Sequence, residues 1–323
     1  MKNTFKGFLR PGLYILVNGS LVVKLKLLFS DVRIRTLVKA LLKNKVSLLW
    51  VKKHNFGIKI IGDKILYRKE DGSLMVFDTN QKKVFRKYPD EKSIKLLKEG
   101  YCTLQKLFEV NSLHFFNELF TEESLIDGGV LRHVPEALQV DIFESILEKY
   151  FEGLASAGAP RFQARISSKQ FFEKLASTNY PNEMQALLRK HEKLVSEVLN
   201  SLDWSWCHGD LTPDNVIVKA SNYKVIDLER CEVMPLLYDV YNLAHNFVMM
   251  SGNITPMRRL IKGDYEKHFN VINENIFSFQ KKREIVVLVM LVLKATVAWD
   301  VYKTKNIALM HKRWSVIEGE LSL

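Results

Sequence analysis

CHGDLTPDN at residues 207–215 and VIDLE at residues 225–229 are the two stretches that decide the fold of this chain. The first places His208 two residues before Asp210, and Asn215 five residues after it. Both stretches border β-prone runs that flank a turn at residues 220–222, in a region whose pattern is otherwise helical. The spacing predicts a β-hairpin that brings Asn215 and Asp227 together, although they are twelve residues apart.

These side chains are of the types that phosphoryl transfer requires. The reaction needs a metal ion held against the phosphates and a carboxylate that positions the attacking hydroxyl, with little covalent participation by the protein. Carboxylate and amide oxygens suit Mg2+, so Asp227 and Asn215 at neighbouring strand ends form a candidate magnesium site. Asp210, one loop away, is a candidate acceptor for the proton of the substrate hydroxyl.

With these residues in this order, the segment resembles the catalytic and metal-binding segments of the aminoglycoside phosphotransferase and choline kinase group, which shares the protein kinase fold. The resemblance implies that ATP and Mg2+ are bound, with Asp210 as catalytic base and Asn215 and Asp227 as magnesium ligands. It also implies that His208 is an orienting catalytic-loop residue and that Asp239 braces the loop from the start of a later helix.

Two positions in the loop distinguish the enzymes that share this fold. Gly209 stands where protein kinases carry Arg, and Thr212 stands where Ser/Thr kinases usually carry Lys. The stretch 230–237 is also too short for a long activation segment. The resemblance therefore favours a kinase that acts on a small-molecule hydroxyl, in a sugar, a glycan precursor or an amino alcohol. The alternatives are a pseudokinase that holds nucleotide without turnover and, less favoured, a protein kinase.

The chain separates by pattern into a basic amphipathic N-terminal extension (1–55), a strand-rich region with one helix (56–127) and a helical region (128–323). Together with the resemblance, this order predicts an α+β fold of the bilobal protein-kinase type. The N-lobe is a small antiparallel sheet plus one helix that binds nucleotide. The larger helical C-lobe carries the catalytic loop 207–215, the β-hairpin and the metal-binding segment 225–229.

The residues that grip the nucleotide are less sharply marked in the sequence. A kinase needs a Lys on its third strand to hold the α- and β-phosphates, paired with a Glu on the following helix. Because side chains alternate along a strand, only one of two adjacent basic residues can face ATP. Lys87 is the first choice, with Lys83 or Arg86 as alternatives. Glu99 is the best-placed acid on the helix, and Glu91 is second.

The net charge of +12 is concentrated at the N-terminus, because residues 1–53 contribute +11 of it (twelve basic residues and one acid). A nearly neutral body argues against a nucleic-acid binder. Residues 32–42 have helical spacing with basic neighbours, which suits either contact with an anionic membrane surface or packing on the body. The absence of a signal-peptide pattern predicts a cytoplasmic protein. It is either free in the cytoplasm or in peripheral contact with the inner face of the membrane.

Overall fold

The computed structural model of the protein describes four short strands between residues 12 and 78 and then residues 81–88, 90–116, 119–157, 161–162, 166–177, 180–269, 280–297 and 314–322. These residues form two compact units. The first unit extends to Lys95 and includes Asn111–Ile126, and the second contains Leu96–Val110 and everything from Asp127 onward. The basic segment 32–42 and the first residues of the predicted strand-rich region, 56–63, lie outside the described residues.

The first unit is built on one seven-stranded sheet. Its strands, in chain order, are β1 (Gly12–Leu16), β2 (Val46–Leu49), β3 (Lys64–Tyr67), β4 (Leu74–Asp78), β5 (Lys83–Lys87), β6 (Leu113–Phe115) and β7 (Phe120–Ser124). Their spatial order is β2-β1-β3-β4-β5-β7-β6, with β1 and β2 parallel and all other neighbours antiparallel. Two of the strands, β1 and β2, therefore come from the region that the sequence predicts to be an N-terminal extension.

Helix α1 (Glu91–Leu107) follows β5, as the pattern of the sequence predicts. Asp90 begins it by accepting hydrogen bonds from the backbone N–H and the hydroxyl of Ser93, both at 2.8 Å. These bonds lower the pKa of the Asp90 carboxyl, as expected for a carboxylate that caps a helix N-terminus. The apolar stripe of the helix is buried, with Leu97 and Leu104 almost completely covered.

The second unit is mostly helical. The α-helices that follow α1 in the described part of the chain are α2 (Glu136–Ala157), α3 (Ser168–Ala176), α4 (Asn182–Lys190), α5 (Glu192–Ser201), α6 (Tyr238–Ser251), α7 (Thr255–Lys262), the single turn α8 (Glu266–Phe269) and α9 (Gln280–Val297). The apolar run 285–293 is buried within α9, so it is a core helix. No helix among the described residues is both long and apolar enough to span a bilayer.

Two small antiparallel sheets interrupt the helices of the second unit. One has the order β11-β10-β8, from strands β8 (Gly129–Val130), β10 (Val216–Lys219) and β11 (Asn222–Val225). The other pairs β9 (Trp204–Cys207) with β12 (Glu232–Pro235). The catalytic loop predicted from sequence runs between β9 and β10, so a strand holds each of its ends. The α+β division into a sheet-based unit and a larger helical unit confirms the predicted fold class.

Candidate active site

The predicted β-hairpin is formed by β10 and β11, with Val216 opposite Val225 and Lys219 opposite Asn222. The pairing continues beyond the strands, because the N–H of Ile226 donates to the carbonyl of Asn215 at 2.9 Å. Asn215 and Asp227 therefore lie at the same end of the hairpin. The structure brings together the two residues that the sequence analysis assigned to magnesium.

Asn215 is fixed to the loop by its own amide groups. Its side-chain nitrogen donates to the carbonyl of Asp210 at 2.8 Å, and its backbone N–H donates to the carbonyl of Thr212 at 2.9 Å. Because the side-chain nitrogen is engaged in this way, the side-chain oxygen is the atom suited to coordinate a cation. The same bond ties the backbone of Asp210 to the end of the hairpin.

His208 links the loop to the segment that carries Asp227. The imidazole is fully buried; Nδ1 accepts from the N–H of Asp210 at 3.3 Å, and Nε2 lies 2.8 Å from the carbonyl of Ile226. An accepting Nδ1 places the proton on Nε2, which then donates to the Ile226 carbonyl. His208 is thus held inside the site as a brace between its two halves.

Asp239, at the first turn of α6, holds the start of the loop. Its carboxylate accepts the N–H of His208 at 2.6 Å and the N–H of Gly209 at 3.1 Å. Complete burial raises the pKa of Asp239, while His208 and the two N–H donors act in the opposite direction. The brace implied by the resemblance is therefore present, and it satisfies the buried N–H of His208 and the partly buried N–H of Gly209.

Gly209 is required by the path of the loop. Its φ is +76°, in the left-handed region, and a Cβ added there would lie under 3.0 Å from the carbonyl oxygen of Arg230. Only glycine avoids both penalties. The residue that distinguishes this loop from the Arg-containing loop of protein kinases is thus also a packing requirement.

Asp227 has a left-handed backbone, with φ 65° and ψ 52°. It precedes a single 3-10 turn, Leu228–Arg230, which returns the chain toward the loop. The Arg230 guanidinium comes within 3.7 Å of the Asp210 carboxylate, and both side chains are about one-third exposed (37% and 33%). No spacing or motif in the sequence links Arg230 to Asp210, so only the structure reveals this contact across the site.

The three basic candidates on β5 occupy different surroundings. Arg86 is buried, and its guanidinium donates to the sulfur of Met75 at 3.5 Å. Lys83 forms an ion pair with Glu122 at 2.9 Å. Lys87 lies on the same strand face as Lys83, with its amine 5.7 Å from the centre of the Phe120 ring.

The acidic candidates for the nucleotide side both lie on α1 and are exposed, Glu91 in its first turn and Glu99 in its middle. Lys87 belongs to the first unit and Glu99 to the second. Their pairing stays a prediction.

A match to a known protein family covers the part of the chain that contains this site. Residues 151–267 match a phosphotransferase enzyme family. The matched stretch contains the whole catalytic loop, the hairpin and the Asp227 segment, so the resemblance drawn from these motifs is confirmed. A search of curated protein sequences gives no significant match.

Solved structures agree on the fold. A thermostable mutant of aminoglycoside phosphotransferase APH(4)-Ia, in a ternary complex with AMP-PNP and hygromycin B, superposes with a TM-score of 0.52 at 13% identity, covering 79% of this chain and 92% of that one. The apo form of a thermostable mutant of the same enzyme gives 0.50 at 12% identity, covering 79% and 93%. A choline/ethanolamine kinase family protein from Mesorhizobium loti gives 0.49 at 12%, covering 78% and 85%. The two aminoglycoside phosphotransferase structures, at TM-scores of 0.52 and 0.50, show that the kinase-like fold is shared. The family match supports the predicted phosphotransferase class.

The residues at the hairpin end fit a magnesium ion. Mg2+ takes oxygen ligands, and commonly one or two from protein side chains, with phosphates and water completing its octahedron. Asn215 and Asp227 supply such oxygens from adjacent strand ends, and the Ile226–Asn215 hydrogen bond holds those ends together. Within the described part of the chain, no group of three or more His, Cys, Asp or Glu side chains is arranged to hold a metal ion.

Proposed function

We propose that this protein transfers the γ-phosphoryl group of ATP to a hydroxyl of a small molecule, a sugar, glycan precursor or amino alcohol, with Asp210 as the catalytic base. The observation that carries the proposal is the assembly of Asp210, Asn215 and Asp227 around one hairpin end, inside the stretch that matches a phosphotransferase family. The shared kinase-like fold agrees with it.

In this mechanism Asp210 accepts the proton of the acceptor hydroxyl as its oxygen attacks the γ-phosphorus. The bond from that phosphorus to the bridging oxygen breaks, and ADP leaves with the electron pair. The Asp210 carboxylate is 33% exposed, so a bound hydroxyl can reach it. His208 and Asp239 keep the loop in place through the hydrogen bonds described above, which limits loss of alignment during the reaction.

Asn215 and Asp227 would hold the magnesium ion. The ion neutralises charge on the phosphate oxygens when it is bound. The contribution of the chain is rigidity, because the Asn215 amide is tied to Asp210 and the Asn215 carbonyl is tied to Ile226. On the nucleotide side, Lys87 would contact the phosphates with Glu99 as its partner. Lys83 and Arg86 are the alternatives; Lys83 already pairs with Glu122, and Arg86 lies on the buried face of the same strand.

A small acceptor is favoured over a protein by the length of the segment after Asp227. The turn Leu228–Arg230 is followed directly by β12, which pairs with β9, and α6 begins at Tyr238. This stretch contains no long loop on which an extended peptide could be laid. Gly209, which the backbone requires, also occupies the position of the protein-kinase Arg.

The same proposal places the protein in the cytoplasm, with peripheral contact of basic residues from 1–55 at the inner face of the membrane as the alternative to packing on the body. Its support is the charge of this region, since +11 of the net +12 lies in residues 1–53. Basic segments are attracted to anionic lipid by roughly 1 kcal/mol per Lys or Arg near the surface. An acceptor from the synthesis of the cell envelope would be consistent with such a location.

The test is an ATP-consumption screen against sugars, amino alcohols and aminoglycosides. We expect acceptor-dependent turnover that falls by at least about 1,000-fold in Asp210→Asn, since the general base is lost together with its charge. Asp203→Asn is the matched control, because Asp203 is an exposed acid near β9 that pairs with Arg161. Undiminished turnover in Asp210→Asn would show that Asp210 is not the base. Nucleotide binding with no turnover on any acceptor would favour the pseudokinase instead.

A further inference from the structure

One residue of the catalytic loop, Asp214, is not used in the mechanism above. It lies in the 3-10 turn Pro213–Asn215, directly before the proposed magnesium ligand. The guanidinium of Arg132 meets its carboxylate with two nitrogens: Nη1 donates to Oδ2 at 3.0 Å, and Nε lies 3.0 Å from Oδ1. The single Nε–H donates to Nε2 of the neighbouring His133 at 3.0 Å, so Arg132 and Asp214 are joined by one charge-assisted hydrogen bond within an ion pair.

Arg132 is itself held by its surroundings. It follows strand β8, which pairs with β10 so that Val130 lies opposite Ile217. Its neighbour Leu131 is fully buried, and the side chain of Gln139 donates to the carbonyls of Arg132 and Val134 at 3.3 Å and 3.0 Å. The guanidinium therefore extends from an ordered anchor and not from a free loop.

Close backbone packing joins this anchor to the hairpin. A Cβ added to Gly128 would lie 2.6 Å from the carbonyl oxygen of Val218, so the chain before β8 approaches β10 more closely than a side chain permits. Strand β10 of the hairpin begins directly after Asn215, and its neighbour β8 ends two residues before Arg132. The Arg132–Asp214 pair therefore adds a side-chain contact between the segments that adjoin these two paired strands.

We propose that Arg132 is a positioning residue: through Asp214 it holds the turn that carries Asn215 in the conformation that binds magnesium and nucleotide together. This inference rests on the proposed function. Arg132 also neutralises a carboxylate next to the metal ligand, so that Asp214 does not compete for the cation from an unproductive position. Both side chains are more than one-third exposed (38% and 37%), so the pair contributes to alignment much more than to stability.

The inference is tested by a binding measurement that needs no acceptor. A fluorescent ATP analogue is titrated onto the full-length protein at increasing Mg2+ concentrations, and the half-saturating Mg2+ concentration is recorded. We expect Arg132→Ala to raise this concentration about 10-fold, the lower end of the loss typical when a group that orients a metal ligand is removed. Arg132→Lys keeps the charge but not the planar guanidinium that bonds His133 and Asp214 together. Its half-saturating Mg2+ concentration should therefore lie between those of the wild type and Arg132→Ala.

Two further variants separate positioning from general damage. Arg258→Ala removes a comparably exposed ion pair with Glu320, away from the loop, and should leave the Mg2+ requirement unchanged. The double variant that exchanges the charges, Arg132→Asp with Asp214→Arg, should need less Mg2+ for half-saturation than Arg132→Ala. Melting temperatures of all variants should stay within about 2 °C of the wild type.

The outcomes are distinct. A half-saturating Mg2+ concentration in Arg132→Ala equal to that of the wild type would overturn the positioning role, and so would an equal loss in Arg258→Ala. Wild-type protein that binds the analogue with no dependence on Mg2+ would overturn the proposed function, and this inference with it. An increased Mg2+ requirement in Arg132→Ala, at an unchanged melting temperature, supports the role.

Discussion

Substitution of Gly209 by alanine tests most directly how the catalytic loop is built. The residue combines a φ of +76° with an approach to the Arg230 carbonyl that leaves no room for a Cβ. A left-handed backbone costs a non-glycine residue about 1–2 kcal/mol. Forcing extra volume into a packed site costs about 1–3 kcal/mol more. Gly209→Ala should therefore lower the free energy of unfolding by about 2–5 kcal/mol.

The protein supplies a matched control for this substitution. Gly252, at the end of α6, has a φ of +78°, but a Cβ added there has no atom within 4 Å. Gly252→Ala should therefore show only the backbone cost of about 1–2 kcal/mol. The difference between the two variants isolates the contact with Arg230 from the backbone conformation.

Urea unfolding and thermal denaturation measure the stability of both variants. At about 3 °C per kcal/mol for a unit of this size, the expected drop in Tm is about 6–15 °C for Gly209→Ala and about 3–6 °C for Gly252→Ala. In the activity screen, Gly209→Ala should lose about 100-fold, because relief of the contact displaces the adjacent Asp210 by about 1 Å. Equal losses of stability in the two alanine variants, or full activity in Gly209→Ala, would refute this reasoning.

Three further results are expected. Asp239→Ala should lower the free energy of unfolding by about 3 kcal/mol, because the buried N–H of His208 and the partly buried N–H of Gly209 lose their acceptor. Asp239→Asn keeps one acceptor oxygen, so urea denaturation should place its stability between those of Asp239→Ala and the wild type. A thiol reagent at pH 8 should react rapidly with the exposed Cys102 alone, because burial raises the pKa of Cys231 to about 12 and also raises the pKa of Cys207. All three cysteines should react in denaturant. A second fast-reacting thiol in the native protein would contradict the burial. Lys87→Ala should weaken ATP-analogue binding about 10-fold, or about 1.4 kcal/mol, in the same fluorescence titration. Lys83→Ala should leave it unchanged, because the Lys83 amine already pairs with Glu122. A loss in Lys83→Ala and none in Lys87→Ala would show that Lys87 does not contact the phosphates.

The sequence by itself determined the loop, the hairpin and the helices. Each has a local signal: the spacing of Asp210 and Asn215, the turn before Lys224, and the apolar stripe of α1 that is buried as its period predicts. Such signals need no distant partner, because strand alternation, turns and helix starts depend on residues a few positions apart. The family resemblance followed from the same short stretch.

Only the tertiary structure decided which distant groups complete the site. Arg132 and Asp214 are 82 residues apart, and the Arg230 guanidinium meets Asp210 across the site only because the turn after Asp227 returns the chain to the loop. An exposed arginine and a loop aspartate have no period or spacing that links them. The pairing appears only when β8 is laid beside β10, because long-range contacts depend on sheet register and packing and not on the local pattern.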